Sequence, residues 1–283
     1  MLTISKSSAG HAAHYYTADN PGQAHSVWLG LGAKDLGLAG QVDSELFKQV
    51  INGTTPQGER LYQRRLISRV DGYDLTLSAP KSVSLIAVWK GDDSVLRAHR
   101  EAVSQTLKAI EKETQTRKMV SGKVQFITTG NLVAAAFEHT LNRHNDPQLH
   151  THCIIINVTK HQNKWRSFYA RKIFQKIKEW GKFYRDRLAE ILTKIGHQIR
   201  SVGKGFWEIA SVPKTIIRTF SRRRAEIIEA VGSDASTAQK QYACLSTRPS
   251  KETKKHTTLK RLRQRWDQIA KVSSLKKSME KER

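Results

Sequence analysis

A chain of 283 residues with 49 Lys+Arg against 25 Asp+Glu carries a formal net charge of +24. Self-repulsion on that scale has no structural use, so it implies a polyanionic partner, most often nucleic acid. The length permits a sizeable core in one large domain or two smaller ones. The 2 cysteines, read as reduced core residues at Cys153 and Cys244, exclude a disulfide framework, and no apolar run is long enough for a signal peptide or membrane span, so the chain reads as soluble and cytoplasmic.

The charge is unevenly placed. Residues 1–159 hold 17 Lys+Arg against 14 Asp+Glu, a net +3, whereas residues 160–283 hold 32 against 11, a net +21. A surface that tracks phosphates is therefore expected mainly in the second half, where a merely soluble surface would mix signs.

In chain order, Met1–Lys6 is a short strand candidate, and Ser7-Ser8 offers an N-cap for a helix through Tyr15-Tyr16. The commoner reading of that pair is structural, with one ring inward and one hydroxyl reaching water. The chemical reading makes a phenol the nucleophile toward a phosphodiester, which needs a cation or base nearby because its ordinary pKa is about 10. Asp19-Asn20-Pro21-Gly22 breaks the chain, a glycine-rich passage follows, and Asp43–Ile51 reads as a capped helix closed by Asn52-Gly53. Tyr73–Ser78 alternates as a strand with Asp74, Thr76 and Ser78 on one face, and Pro80 opens a helix running to about Lys90. Asp74 suits a hydrogen bond to the far nitrogen of a metal-bound histidine or a proton from the tyrosine, and suits equally a plain surface carboxylate. Lys81, near a helix N-terminus, is a candidate phosphate contact.

Asp92 to about Lys118 has helical periodicity, Lys123–Thr129 reads as a strand, and a second strand runs from Asn131 to His139. The polar cluster Asn142–Gln148 supplies a turn, and Leu149–Asn157 a further strand, on which His150 and His152 project from one face. If the two strands pair as a hairpin, His139 joins them. Three neutral imidazoles with other positions open hold a divalent ion that must also touch a substrate. Against this, a single strand histidine is usually a hydrogen-bonded structural residue, and a His-x-His pair arises by chance among 11 histidines. Ligand softness does not choose among Mn, Co, Ni and Zn.

Beyond the histidines, Arg171 to about Ile195 reads as one long basic helix, Gln198–Val202 and Phe206–Ala210 as short strands, and the rest as helices from Pro213 onward. The runs Arg222-Arg223-Arg224 and Lys251–Arg265 are ordinarily solvated helix faces. Interleaved with Trp207, Phe220 and Trp266, they also fit a groove where bases stack between cations. There is no internal repeat and no Walker A sequence.

Several words of the sequence together resemble the N-terminal relaxase domain of the TraI/TrwC family of conjugative relaxases, within the HUH endonuclease superfamily, over Met1 to about Lys271. They are Tyr15-Tyr16-Thr17, Gly37–Asp43, Asp74–Ser84, Thr129–Val133 and Asp146–His152. Their order is informative, since rolling-circle replication initiators share the histidine cluster but carry their tyrosine after it.

The resemblance implies an α+β fold: a central antiparallel β-sheet flanked by helices as a catalytic palm over 1–210, and a basic helical region, 211–283, closing like fingers over DNA. It implies that His139, His150 and His152 hold a divalent metal ion, Mg or Mn, with Zn, Ni or Co as alternatives. Tyr15, with Tyr16 as substitute, then attacks the scissile phosphate to give a 5′-phosphotyrosine and a free 3′-hydroxyl. Asp74 orients a ligand histidine or assists deprotonation, and Arg143 pairs with the phosphate bidentately. The implied substrate is single-stranded origin-of-transfer DNA beside a hairpin, nicked and resealed without ATP. The implied setting is a bacterial, plasmid-associated monomer working with relaxosome accessory proteins and a coupling protein.

One departure stands out. Family members usually carry a second tyrosine pair a few residues after the first, and here no tyrosine follows Tyr16 until Tyr62. One covalent DNA attachment per protein molecule is therefore expected. Family proteins also commonly continue into a helicase, so the chain is expected to be either a domain of a longer protein or a stand-alone relaxase. Two other classes keep part of the pattern: a non-catalytic single-stranded DNA-binding module needs only the basic half, and a zinc hydrolase needs the histidines but no tyrosine.

Overall fold

The computed structural model describes residues 2–10, 12, 23–61, 70–246 and 258–281. In chain order its elements are β1 (Leu2–Ser7), β2 (Gln23–Leu29), α1 (Leu31–Asp35), α2 (Ser44–Ile51), β3 (Gly72–Ser78), α3 (Lys81–Ser84) and a π-helical turn (Leu85–Trp89). Next come α4 (Asp93–Lys112), β4 (Gln115–Val120), β5 (Lys123–Thr128), β6 (Ala134–Leu141), β7 (Pro147–Ile156), β8 (Thr159–His161) and β9 (Lys164–Arg166). The remainder is α5 (Arg171–Gln175), α6 (Ile177–Lys194), β10 (Ile199–Gly203), β11 (Phe206–Ile209), α7 (Lys214–Thr219), α8 (Arg222–Val231), α9 (Thr237–Ser246) and α10 (Leu259–Lys281).

The chain divides into two compact units. The first comprises 1–79, 94–139 and 150–196, and the second 80–93, 140–149 and 197–283. The first is built on a five-stranded antiparallel sheet in the order β1-β3-β7-β6-β2. Strand alternation divides its side chains. One face carries Val133, Ala135, Phe137, Ile154 and Ile156, which bury with Trp28 and the apolar side of α2. Phe47 of α2 meets Phe137 edge-on at 5.1 Å between ring centroids, a packing preference of aromatic quadrupoles. The helix is placed by its cap as expected, since the Asp43 carboxylate accepts from the N–H groups of Glu45 (2.9 Å) and Leu46 (2.8 Å), a contact that stabilises a helix by about 1 kcal/mol. The opposite face carries Leu75, Leu77, Cys153 and Ile155, all fully buried.

The second unit has its own core around Phe220, Leu262 and Trp266. Trp89 lies 5.1 Å from Phe220 and donates from Nε1 to Asp267, and Trp266 donates to the Asn145 carbonyl at 3.0 Å. Trp207, Phe220 and Trp266 are therefore buried core residues, at 8%, 0% and 1% exposure, and the stacking groove expected from their interleaving with cations does not form on them. Burial of their large apolar area outweighs any role at the surface.

Local expectations fail where tertiary partners intervene. The helix expected through Lys118 ends at Lys112, because Gln115–Val120 pairs with Lys123–Thr128 across Ser121-Gly122. Those two residues have φ of 48° and 75°, a two-residue turn whose twist matches paired strands. The strand expected from Asn131 begins at Ala134, since the N–H groups of Asn131 and Leu132 go to Thr114 Oγ1 (3.0 Å) and Glu111 Oε1 (2.8 Å). The helix expected to run unbroken over 171–195 is interrupted at Lys176 (φ −96°, ψ 16°), whose ammonium pairs with Glu113 at 2.9 Å. Among the described residues, no helix is long and apolar enough to cross a membrane.

Candidate metal centre

The alternation that sends Phe137 and Ile154 into the core sends His139, His150 and His152 out on that same face toward the other end of the sheet. β6 supplies His139, which is nearly buried, and β7 supplies the other two. The three ring centroids stand 5.3, 5.1 and 5.1 Å apart. One ligand nitrogen from each ring lies within 4.8 Å of the others, close enough for a single ion to span them. All three belong to the first unit.

β3 completes the arrangement. It runs antiparallel beside β7 with Thr76 opposite His152 and Ser78 opposite His150, so Asp74, Thr76 and Ser78 share the imidazole face. His152 Nδ1 donates to the Asp74 carboxylate, at 2.9 and 3.0 Å to its two oxygens. Thr76 Oγ1 donates to Asp74 Oδ1 at 3.1 Å and lies 3.1 Å from the same ring nitrogen. A carboxylate can only accept, so the proton sits on Nδ1 and the lone pair of His152 on Nε2, the tautomer a metal requires. Three imidazoles, one fixed from its far nitrogen by a carboxylate, form a donor set that fits a divalent cation with further positions open to water or an oxyanion.

The remaining sequence candidates are placed differently. Tyr15 and Tyr16 lie outside the described residues. Lys81 opens α3 in the second unit, but two of its three ammonium donors go to the Pro147 carbonyl and to Gln148 Oε1, both at 2.8 Å. Burial pulls its pKa down to about 8, against the opposing pull of Asp146 and Glu208. Arg143 is half-buried in the turn between β6 and β7.

Sequence reading missed Asp146 and Arg222. The Asp146 carboxylate is fully buried and receives the Arg222 guanidinium, which also donates to the His144 carbonyl. His144 Nε2 lies 3.0 Å from Glu226 Oε2. Asp146 falls inside one of the quoted family words, yet nothing local to a polar turn announces a partner 76 positions away.

Comparison with known proteins adds to this geometry. Residues 4–272 match the TrwC relaxase family. Two Escherichia coli proteins called multifunctional conjugation protein TraI, one from strain K12, are each 39% identical over 89% of this chain, which spans about 15% of their length. A metal-bound structure of the conjugative relaxase TrwC in complex with oriT DNA superposes with a TM-score of 0.88 at 36% identity, covering 96% of this chain and 98% of that one. A copper-bound TrwC–oriT structure gives 0.88 at 35% identity, covering 97% and 99%. TrwC with a 27-mer DNA comprising the recognition hairpin and the cleavage site gives 0.86 at 36%, again covering 97% and 99%. With the sheet, the histidine trio and this coverage in agreement, the chain belongs to the TrwC relaxase family.

Proposed function

We propose that this chain nicks and reseals single-stranded origin-of-transfer DNA by tyrosine transesterification, as a relaxase domain. The observation that carries the reading is the convergence of His139, His150 and His152 with Asp74 hydrogen-bonded behind His152. The three histidines would hold a divalent cation, Mg or Mn in the cell, and when bound it would polarise the scissile phosphate and lower the cost of charge on its oxygens.

The rest of the mechanism falls to the chain itself. The Tyr15 hydroxyl oxygen, with Tyr16 as substitute, attacks phosphorus and forms a phenolic ester. The P–O3′ bond breaks, the phenolic proton passes to water, and the departing 3′ oxygen takes a proton from water and ends as a hydroxyl. Attack by a 3′-hydroxyl on the ester reverses each change, so the strand is resealed without ATP. Asp74 holds His152 in the liganding tautomer, while Arg143 and the third donor of Lys81 are assigned to backbone phosphates.

Residues 211–283 are assigned to closing over the DNA, in keeping with the net +21 over 160–283. The hairpin beside the cleavage site in the TrwC complex supports recognition of a hairpin here as well. Relaxosome accessory proteins, a coupling protein and a bacterial cytoplasmic setting follow from the same reading.

The test is incubation with an origin-containing single strand and Mg or Mn, followed by denaturing electrophoresis. The expected result is a protein–DNA adduct resistant to denaturation, removed by chelation and by Tyr15→Phe with Tyr16→Phe. Salt-sensitive binding with no adduct under any metal would reduce the chain to a DNA-binding module.

A further inference from the structure

The sheet face opposite the imidazoles holds a second constellation. His99, on α4, is fully buried with both ring nitrogens engaged: Nδ1 lies 2.7 Å from Tyr184 Oη on α6, and Nε2 lies 2.8 Å from Thr151 Oγ1 on β7. Its neighbour Arg100 grips Glu138 of β6 with two parallel bonds, Nε to Oε2 at 2.8 Å and Nη2 to Oε1 at 2.9 Å. Thr151 is the residue between His150 and His152, and Glu138 immediately precedes His139. Two consecutive residues of one helix thus hold the neighbours of all three imidazoles.

The pattern along that face argues that more than packing is involved. Away from the imidazoles the same rows read Ala136 and Ala134 on β6, Cys153 and Ile155 on β7, all buried. Polar side chains appear where the ligand histidines begin. A buried hydroxyl, carboxylate and imidazole each cost free energy unless satisfied, and an apolar residue would fill the same volume without that requirement. Burial drives the His99 pKa down to about 3. The ring is therefore neutral, with one nitrogen donating and the other accepting, and both hydroxyl partners can answer either role across the working pH range.

We infer that His99 and Arg100 are positioning residues for the imidazole trio, acting through Thr151 and Glu138 to fix the height and tilt of β7 and β6. This rests on the three-histidine metal reading. Side chains at successive strand positions leave the backbone in opposite directions, so anchoring a residue on one face sets the direction of its neighbours on the other. Metal–nitrogen bonds of about 2.0–2.1 Å tolerate little error in that direction.

The probe is cobalt(II) alone, titrated into the purified chain while its visible d–d absorption is followed, with melting of the metal-free protein measured alongside. His99→Phe and Thr151→Val are expected to weaken cobalt binding about tenfold or more and to change the absorption band. The double variant Arg100→Met with Glu138→Gln, which leaves no buried charge unpaired, is expected to do the same. His99→Gln keeps a donor and an acceptor and is expected to return toward the parent's affinity.

Where His99→Phe fails to fold, Thr151→Val decides, since it keeps shape and branching and removes only the hydroxyl. Parent-like affinity and spectrum in Thr151→Val and in the double variant overturn the inference, whatever happens to the melting temperature. A parent that binds no cobalt overturns the three-histidine reading and this inference with it.

Discussion

Removal of the Asp74 carboxylate separates metal organisation from fold stability more cleanly than any other single change. In Asp74→Ala the His152 ring loses an acceptor held at 2.9 Å, and the Thr76 hydroxyl that stays beside Nδ1 can donate as well as accept, so it favours the Nδ1–H tautomer far less than a carboxylate does. Loss of such an outer partner typically weakens metal affinity 10–100-fold, which is about 1.4–2.7 kcal/mol. The metal-free fold should lose less. Thr76 Oγ1 already lies 3.1 Å from His152 Nδ1, so the two former partners of Asp74 can satisfy each other, and the net cost should stay near 1 kcal/mol. Asp74→Asn should fall between, because its amide oxygen can still accept the ring N–H without the charge. Calorimetric titration with Mn(II) at fixed ionic strength, beside urea unfolding of the metal-free variants, reads both quantities. An Asp74→Ala protein that binds Mn(II) within about twofold of the parent, when His139→Ala does not, would refute the claim that this carboxylate organises the site.

Three further outcomes are expected. Arg222→Ala leaves the fully buried Asp146 carboxylate without its cation; breaking a buried pair costs about 3–5 kcal/mol, reduced here to about 2 because the guanidinium is 39% exposed. Urea unfolding followed by tryptophan fluorescence suits the test, since Trp89 and Trp266 lie in the same unit, and adding Asp146→Asn should recover part of the loss. Lys81 has a folded pKa of about 8, below its ordinary value of 10.5, so the unfolded chain binds the extra proton between these values. Stability should rise with pH across that window by up to about 3 kcal/mol and be depressed below it, and a Lys81→Met protein that keeps the same slope would contradict the assignment. Oligonucleotide affinity should fall log-linearly with salt; contact with about six phosphates gives a slope near −4 and a loss of about 250-fold from 50 to 200 mM, whereas a flat profile would remove the electrostatic basis for a DNA partner.

Much of the site was legible because strand parity is a strict rule. Once Tyr73–Ser78 and Leu149–Asn157 are read as strands, Asp74 and Thr76 must share a face, as must His150 and His152, and a hairpin brings His139 to them. The helix from Asp43 was legible from its cap and its glycine stop. What could not be read was decided at long range. Lys81 looked like an open cation at a helix start until its ammonium was found bound to Pro147 and Gln148, 66 and 67 positions on. The π-helical turn at Leu85–Trp89 follows from a wider backbone bond, Lys90 N–H to the Leu85 carbonyl at 3.1 Å, which no side-chain periodicity encodes. The tryptophans of the basic half looked available for stacking because apolar and cationic residues alternate there, yet alternation cannot say which side a helix buries until its neighbours are known.

The convergence of the three imidazoles is a by-product of hydrophobic register. A slip of β3 by one residue against β7 would turn Asp74 and Thr76 away from His152 and leave the trio without its orienting carboxylate. What resists that slip sits on the other face, where Leu75 and Leu77 are fully buried opposite Cys153 and Thr151. Expelling both leucines would cost about 3–6 kcal/mol in total, more than the about 1.5–3 kcal/mol of the single charge-assisted bond between Asp74 and His152. The register that stabilises the sheet therefore dictates the geometry of the imidazole trio, and the polar contacts refine it. It follows that the site should tolerate changes to its carboxylate with graded loss of metal affinity, whereas a polar substitution at Leu75 or Leu77, neither of which shares the imidazole face, should abolish metal binding together with the fold.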